Sequence, residues 1–268
     1  MDKPVTLNDI PLISWPHRLV DNFFSKEDLS WIKKTMNTGH TQLKRDYPYY
    51  FKDDKMLSGQ DINRVSKELG YSTETQFTHG FSCFIPFWST ERVADIIDDV
   101  WQEGTKRYKH KRNNNSLRKD YFSFLELNIY PPQMYYSWHM DTAYKSFTAV
   151  VYIGNEGTGT TLKSAGNEVT LTWKDNRSIL FMNADFKTRK EQDFKNKYST
   201  FHKYGNPTDE IRYAVNFNMT HIDSVANVFK LFEEKDSDML THTNISKRNR
   251  VKFKPITVNA TVKSKESK

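Results

Sequence analysis

Between Phe122 and Asn218 the chain falls into short runs of alternating apolar and polar residues, and this period of two constrains the fold more than any other feature. Strand candidates lie at Phe122–Tyr130, Phe147–Ile153, Glu168–Trp173, Ser178–Met182 and Arg212–Asn218, all rich in β-branched or aromatic residues. Turn-forming residues separate them at Pro131-Pro132, Gly154 to Gly159, Gly166-Asn167, Lys174 to Asn176 and Gly205-Asn206-Pro207. Two helix candidates precede this block. After a short strand candidate at Arg18–Phe24, Ser25 can cap a helix with Glu27 and Asp28 in its first turn and Leu29, Trp31, Ile32 and Met36 on its apolar face. Thr90 can cap a second, in which Val93, Ile96, Ile97, Val100 and Trp101 recur at helical spacing. Helices followed by many short strands predict a mainly β chain of the α+β class, a sandwich or barrel with helices packed on one side.

Charge and cysteine usage narrow the function classes. The 268 residues carry a formal net charge of +7, but from Lys247 onward there are eight basic residues against one acid, Glu266, so the tail 247–268 holds that excess and residues 1–246 are neutral. The expected organisation is therefore one domain over 1–246, with helical support at about 16–115 and a β core at about 120–220, followed by a basic tail. A neutral body offers no phosphate track, which disfavours a nucleic-acid partner. One cysteine, Cys83, excludes an intrachain disulfide and a cysteine-rich zinc site. No apolar run is long enough to span a bilayer and the opening residues lack the layout of a signal peptide, so the expectation is a soluble cytoplasmic protein. The basic and Asn-rich stretch Lys106–Asn115 reads as a solvated loop. Gln42–Gly59 and Ala184–Tyr198, both charged, read as candidate lids, Val225–Phe232 as a helix, and Val251–Val262 as an added strand.

The stretch Tyr136-Ser-Trp-His139-Met-Asp141 carries the chemistry. On an extended strand, residues two apart share a face, so His139 and Asp141 are expected to enter one cavity together. His202, far enough downstream to sit on another strand, completes a set of two imidazoles and one carboxylate, which suits non-haem Fe(II) and leaves coordination positions open. His221-Ile-Asp223 repeats the spacing, yet the only later histidine, His242, leaves no room for an intervening strand ladder.

Together with their surroundings these residues resemble the Fe(II)- and 2-oxoglutarate-dependent dioxygenases, within them the prolyl-4-hydroxylase-like branch. Val20-Asp-Asn-Phe-Phe-Ser-Lys-Glu27 is similar to that branch's strand-to-helix opening. Phe124–Tyr130 resembles its strand ending in Tyr before the His-x-Asp turn, Thr148–Ile153 the strand that follows, and Gly157-Thr-Gly-Thr-Thr-Leu162 its Gly-Gly hairpin with the glycines split. The resemblance spans roughly residues 16 to 220. It implies a double-stranded β-helix, the jelly-roll or cupin-like core, with Fe(2+) held by His139, Asp141 and His202. It further implies 2-oxoglutarate and O2 as cosubstrates, with ascorbate a candidate auxiliary reductant. Carried over by position, Arg212 pairs with the distal carboxylate of 2-oxoglutarate, and Tyr130 or Tyr152 donates a hydroxyl to it. The implied reaction is hydroxylation of an unactivated C–H bond with release of succinate and CO2; Asp141 speaks against halogenation.

Substrate class stays open between a prolyl or other residue in a peptide or protein and a free amino acid or small metabolite. A catalytically silent jelly-roll binding module is the non-enzyme alternative. Trp138, Tyr135, Tyr136, Tyr144 and Phe147 are the candidate aromatic wall for an apolar substrate group.

Overall fold

The computed structural model describes residues 2–69, 81–86, 96–97, 100, 121–141, 147–182, 200–221, 239–242 and 251–252. In chain order these form β1 (Thr6–Asn8), β2 (His17–Asp21), α1 (Lys26–Asp46), a 3-10 turn (Pro48–Tyr50), β3 (Phe51–Lys52), β4 (Lys55–Met56), α2 (Gly59–Glu68) and β5 (Phe81–Pro86). There follow β6 (Tyr121–Tyr130), β7 (Met134–His139), β8 (Phe147–Ile153), β9 (Gly157–Ser164), β10 (Asn167–Trp173), β11 (Arg177–Met182), β12 (Phe201–Asn206), β13 (Arg212–His221), β14 (Met239–His242) and β15 (Val251–Lys252).

A nine-stranded sheet runs in the order β1-β2-β11-β8-β13-β6-β5-β14-β15, and a four-stranded sheet in the order β10-β9-β12-β7. Strands β6 to β13 are shared between the two, four in each, and all their ladders are antiparallel. That interleaving is the topology of a double-stranded β-helix. The core is a jelly roll.

Alternation along the strands decides what each face of the large sheet meets. Leu125 and Leu127, Ala149 and Val151, and Val215 and Phe217 form one side, buried with Ile32 and Met36 of α1 and with Ile96, Ile97 and Val100. Ser25 caps α1 as expected, its Oγ accepting from Asp28 N at 3.0 Å, and the helix runs on to Asp46 so that Leu43 also is buried. The intervening residues turn toward the small sheet, where Trp15, Tyr152, Leu162, Trp173, Ile179 and Phe181 make a second apolar cluster. The even-numbered positions of β6 and β13 therefore face the space between sheets, and the odd-numbered ones face the helix.

Two expectations are corrected here. Gln42–Gly59 is no lid: it comprises the end of α1, the 3-10 turn and the β3–β4 hairpin, and Tyr50 and Met56 are buried beside Leu43 and Ile62. The turn expected at Gly154 to Gly159 ends earlier, because β9 begins at Gly157. A Cβ at Gly157 would collide with the Arg212 guanidinium, and one at Gly159 would lie 3.0 Å from the Tyr152 hydroxyl, so the two split glycines let strand backbone pass close to those groups. The Lys106–Asn115 and Ala184–Tyr198 loops, Tyr144, the Val225–Phe232 helix and all of the tail except Val251–Lys252 lie outside the described residues. Of the helix expected near 90–101, Ile96, Ile97 and Val100 are described and helical. No described helix is long and apolar enough to cross a membrane.

Candidate metal centre and its cavity

β7 and β12 lie side by side in the small sheet, and their register sets His139 directly opposite His202. Two residues further along β12, Tyr204 pairs with Tyr136, so a step of three residues in β7 matches a step of two in β12. This bulge adds one residue to β7 at Ser137-Trp138. Strict alternation would put His139 on the face of the exposed Tyr135, but the extra residue turns it to the face of Tyr136. His139 is the last residue of β7, so Asp141 is not on the strand with it, as expected from the spacing, but in the turn beyond.

The structure brings the three together. One ligand atom from each of His139, Asp141 and His202 lies within 4.8 Å of the others, and the imidazole centroids are 4.2 Å apart. His202 Nε2 is 3.9 Å from Asp141 Oδ1. Both rings are oriented by the same device. His139 Nδ1 donates to the Ser137 carbonyl at 2.9 Å and His202 Nδ1 to the Thr200 carbonyl at 3.0 Å. A carbonyl oxygen only accepts, so each Nδ1 carries the proton and each Nε2 keeps its lone pair for a metal. Asp141 Oδ2 accepts from Thr148 Oγ1 at 2.6 Å, which points Oδ1 toward the histidines. Phe181 packs against the His202 ring at 5.1 Å and Tyr136 against His139 at 4.2 Å, limiting their rotation.

These groups open into a cavity of about 110 Å³ between the sheets, enough for several waters or a compact ligand. Tyr130 lines it. Burial, and then the neighbouring Tyr204, Glu126, Tyr136 and Asp141, push the Tyr130 hydroxyl well above the ordinary phenol range, so it stays a neutral donor. Tyr152 does not line it. Its ring stacks on Trp173 at 4.5 Å, and its hydroxyl accepts from Thr160 N at 2.9 Å with a pKa pushed up by burial to about 12. Arg212 does not line it either, yet its position is informative. The guanidinium is buried, lies 5.0 Å from the centre of the Trp173 ring and donates to the Thr158 carbonyl, with no carboxylate partner among the described residues. Trp173 itself lines the cavity, as do Thr160 and Tyr204. Thr160 Oγ1 and Tyr204 Oη are buried and make no full-strength hydrogen bond among the described residues, Thr160 lying beside the Tyr152 hydroxyl and Tyr204 beside the Arg212 guanidinium. Burial raises the Tyr204 pKa, and the nearby charge of Arg212 works against that rise. A buried cation with two weakly engaged hydroxyls nearby favours an anionic group at this end.

The expected aromatic wall takes a different form. Tyr136 lines the cavity, but Tyr135 is exposed, Phe147 belongs to the helix-side core, and Trp138, turned outward by the bulge, lies under Lys203 and Lys163 at 4.5 and 5.3 Å. The rings that do line the cavity with Tyr136 are Tyr130, Trp173 and Tyr204. On the large sheet with Tyr130 are Glu126, Asn128, Thr148 and Asn216, which sequence reasoning missed. Their signal was present as polar residues at even positions of apolar strands, a pattern that ordinarily marks a solvent face.

No family model matches the chain, and no curated protein matches it. Among solved structures the chain is similar to a prolyl-4-hydroxylase from Pseudomonas putida, at 11% identity over 77% of this chain and 92% of that one, with a TM-score of 0.41. It is similar also to the viral collagen prolyl hydroxylase of Paramecium bursaria Chlorella virus-1, at 15% identity over 76% and 95%, TM-score 0.38. A cupin domain from Bordetella pertussis matches at 15% identity over 40% of this chain and 88% of that one, TM-score 0.25. One fold hosts many chemistries, so what this cavity does is decided by its own side chains.

Proposed function

We propose that this chain is an Fe(II)- and 2-oxoglutarate-dependent oxygenase that hydroxylates an unactivated C–H bond. The observation that carries the reading is the convergence of His139, Asp141 and His202 with both Nδ1 protons already committed to backbone carbonyls. Two imidazoles and a carboxylate on one side of an ion are the donor set of non-haem Fe(II) sites with open positions. Bound there, iron and 2-oxoglutarate would supply the oxidising chemistry: substrate C–H, O2 and 2-oxoglutarate go to C–OH, succinate and CO2.

The chain's own residues bind, orient and shield. Thr148 fixes the Asp141 carboxylate, and the two backbone carbonyls fix the imidazoles. The Arg212 end, with the weakly engaged hydroxyls of Tyr204 and Thr160 beside it, is suited to the distal carboxylate of the cosubstrate. In this reading Tyr204 and Thr160 take the role first given to Tyr152, whose hydroxyl already serves Thr160 N, while Tyr130 remains a donor from the cavity wall. Tyr136 and Phe181, packed on the two imidazoles, keep water from the metal side. Hydroxylation of a prolyl or other residue in a peptide is the first substrate reading, and a free amino acid or small metabolite the second.

The test is anaerobic titration of the protein with Fe(II) and then 2-oxoglutarate. The weak visible charge-transfer band of the chelate should appear. If folded protein gives none, the chain is a jelly-roll binding module instead.

A further inference from the structure

The segment that leads into β2 is fastened to both sheets. His17 opens β2, and its Nε2 accepts from Ile10 N at 2.9 Å while its Nδ1 donates to the Trp15 carbonyl at 2.7 Å. Ser14 N donates to Ser164 Oγ at 3.0 Å and Trp15 Nε1 to the Lys163 carbonyl at 3.1 Å, which ties the same segment to β9 of the small sheet. Trp15 is fully buried there, in one apolar cluster with Ile10 and Ile13. Sequence reasoning gave it no role.

The ladders connect this residue to the metal centre. Phe181 of β11 pairs with His17 on one side and with Thr148 of β8 on the other, so the three side chains share the inward face in one row of the large sheet. Thr148 holds Asp141, and Phe181 lies against the His202 ring with centroids 5.1 Å apart. One row therefore touches two of the three candidate ligands. On Phe181 in turn stands Trp15, edge-on at 5.5 Å with an interplanar angle of 65°. The carbonyl that receives the Trp15 indole belongs to Lys163, which pairs with Phe201 beside the Leu162–His202 pair. Trp15 is thus anchored on the strand that pairs with the one carrying His202, and Phe181 touches both rings.

His202 needs such backing. Its hydrogen bond to the Thr200 carbonyl fixes one ring atom and leaves the plane free to rock about that bond, so the plane must be set by packing. We propose that Trp15 is a positioning residue of the metal centre: through Phe181 it holds the His202 imidazole in the plane that aims Nε2 at the ion. The ion itself rests on the function proposed above; the placement of the ring does not. A Trp15 that only filled the core would stabilise the fold and leave His202 and His139 alike.

The test reads the two imidazoles separately, by long-range proton–nitrogen NMR of the metal-free protein at about pH 8, where both rings are neutral. Wild-type His202 should be the pure Nδ1–H tautomer. In Trp15→Leu its nitrogen shifts should move toward the average of the two tautomers, while those of His139, packed against Tyr136, stay in place. Trp15→Phe, which keeps a ring on Phe181, should restore the wild-type pattern, and Leu43→Ala, a destabilising change in a different apolar cluster, should leave both histidines unmoved. If Trp15→Leu does not fold, Phe181→Leu reads the same link from its middle ring. An unchanged His202, or an equal change in both histidines, overturns the proposal. Calorimetric titration with Mn(II) then separates the two readings, with an expected loss of about tenfold in affinity in Trp15→Leu. Equal affinity in wild type and variant removes the positioning role and keeps the metal centre; a wild type that binds no Mn(II) but shows the selective His202 response does the reverse.

Discussion

The two walls of the cavity are made of the same kind of strand and do opposite things. The small-sheet wall is a stack of rings, Tyr136, His139, Trp173, His202 and Tyr204, each held by its neighbours at centroid distances between 4.2 and 5.6 Å. The large-sheet wall carries the amides and a carboxyl, Glu126, Asn128, Thr148 and Asn216, along with Tyr130, Val150 and Ala214. Rings offer few donors and acceptors but rigid placement, which a metal ligand needs. Amides offer donors and acceptors at little volume, which suits contact with polar groups. The difference teaches that in this jelly roll the imidazole rings and most of the polar lining come from different sheets, joined by the Thr148–Asp141 hydrogen bond.

The strongest way to break that division is Asp141→Ala. Two imidazoles alone hold a divalent ion weakly, so Mn(II) or Fe(II) affinity should fall by more than about a hundredfold while far-UV circular dichroism is unchanged; retained affinity would remove Asp141 from the ligand set. Arg212→Ala comes next. Loss of a buried cation should weaken 2-oxoglutarate binding by about 2 to 5 kcal/mol without altering metal affinity, and an unchanged dissociation constant by calorimetry would reject its role. Thr148→Val probes the hydrogen bond that joins the walls at Asp141. It should cost about tenfold in metal affinity, since the carboxylate loses the hydrogen bond that orients it, and a value equal to the parent's would mean that the turn alone holds Asp141.

The smallest effect is a control outside both walls. Asp21 receives Arg177 at 2.6 and 3.0 Å and Lys174 at 3.3 Å, and the Arg177 hydrogen bonds hold its carboxyl below the usual range against the opposing effect of burial. A depressed folded-state pKa stabilises above the ordinary carboxylate range, and the contribution is lost as pH falls through the lowered value. Asp21→Asn should therefore cost about 1 kcal/mol at pH 7 and nothing at low pH, read from urea unfolding at the two pH values, with metal and cosubstrate affinity intact.

Much of the scaffold was legible because local physics sets it. Ser25 is a good acceptor for exposed helix N–H groups wherever it stands, and the run Phe147–Ile153 forms a strand with the bounds its alternation predicts. The candidate ligands were legible for a related reason: His, Asp and His are scarce enough in combination for spacing to mark them. What each faces was not. His139 points inward only because β7 carries one extra residue against β12, and nothing in Ser137-Trp138 announces a bulge. Tyr152 and Arg212 sit behind the cavity lining because Trp173 and Tyr204 occupy the space in front, which depends on strands far apart in sequence.

Taken alone, the order of residues settled that this chain makes a helix-backed β structure and which side chains have metal-binding chemistry, since helix caps, alternation and ligand type are properties of neighbouring residues. Only the assembled sheets decided that Glu126, Asn128 and Asn216 look into a cavity and not into water. Alternation separates two faces of a strand but carries no label for them, and here α1 covers the apolar face, so the polar face turns inward.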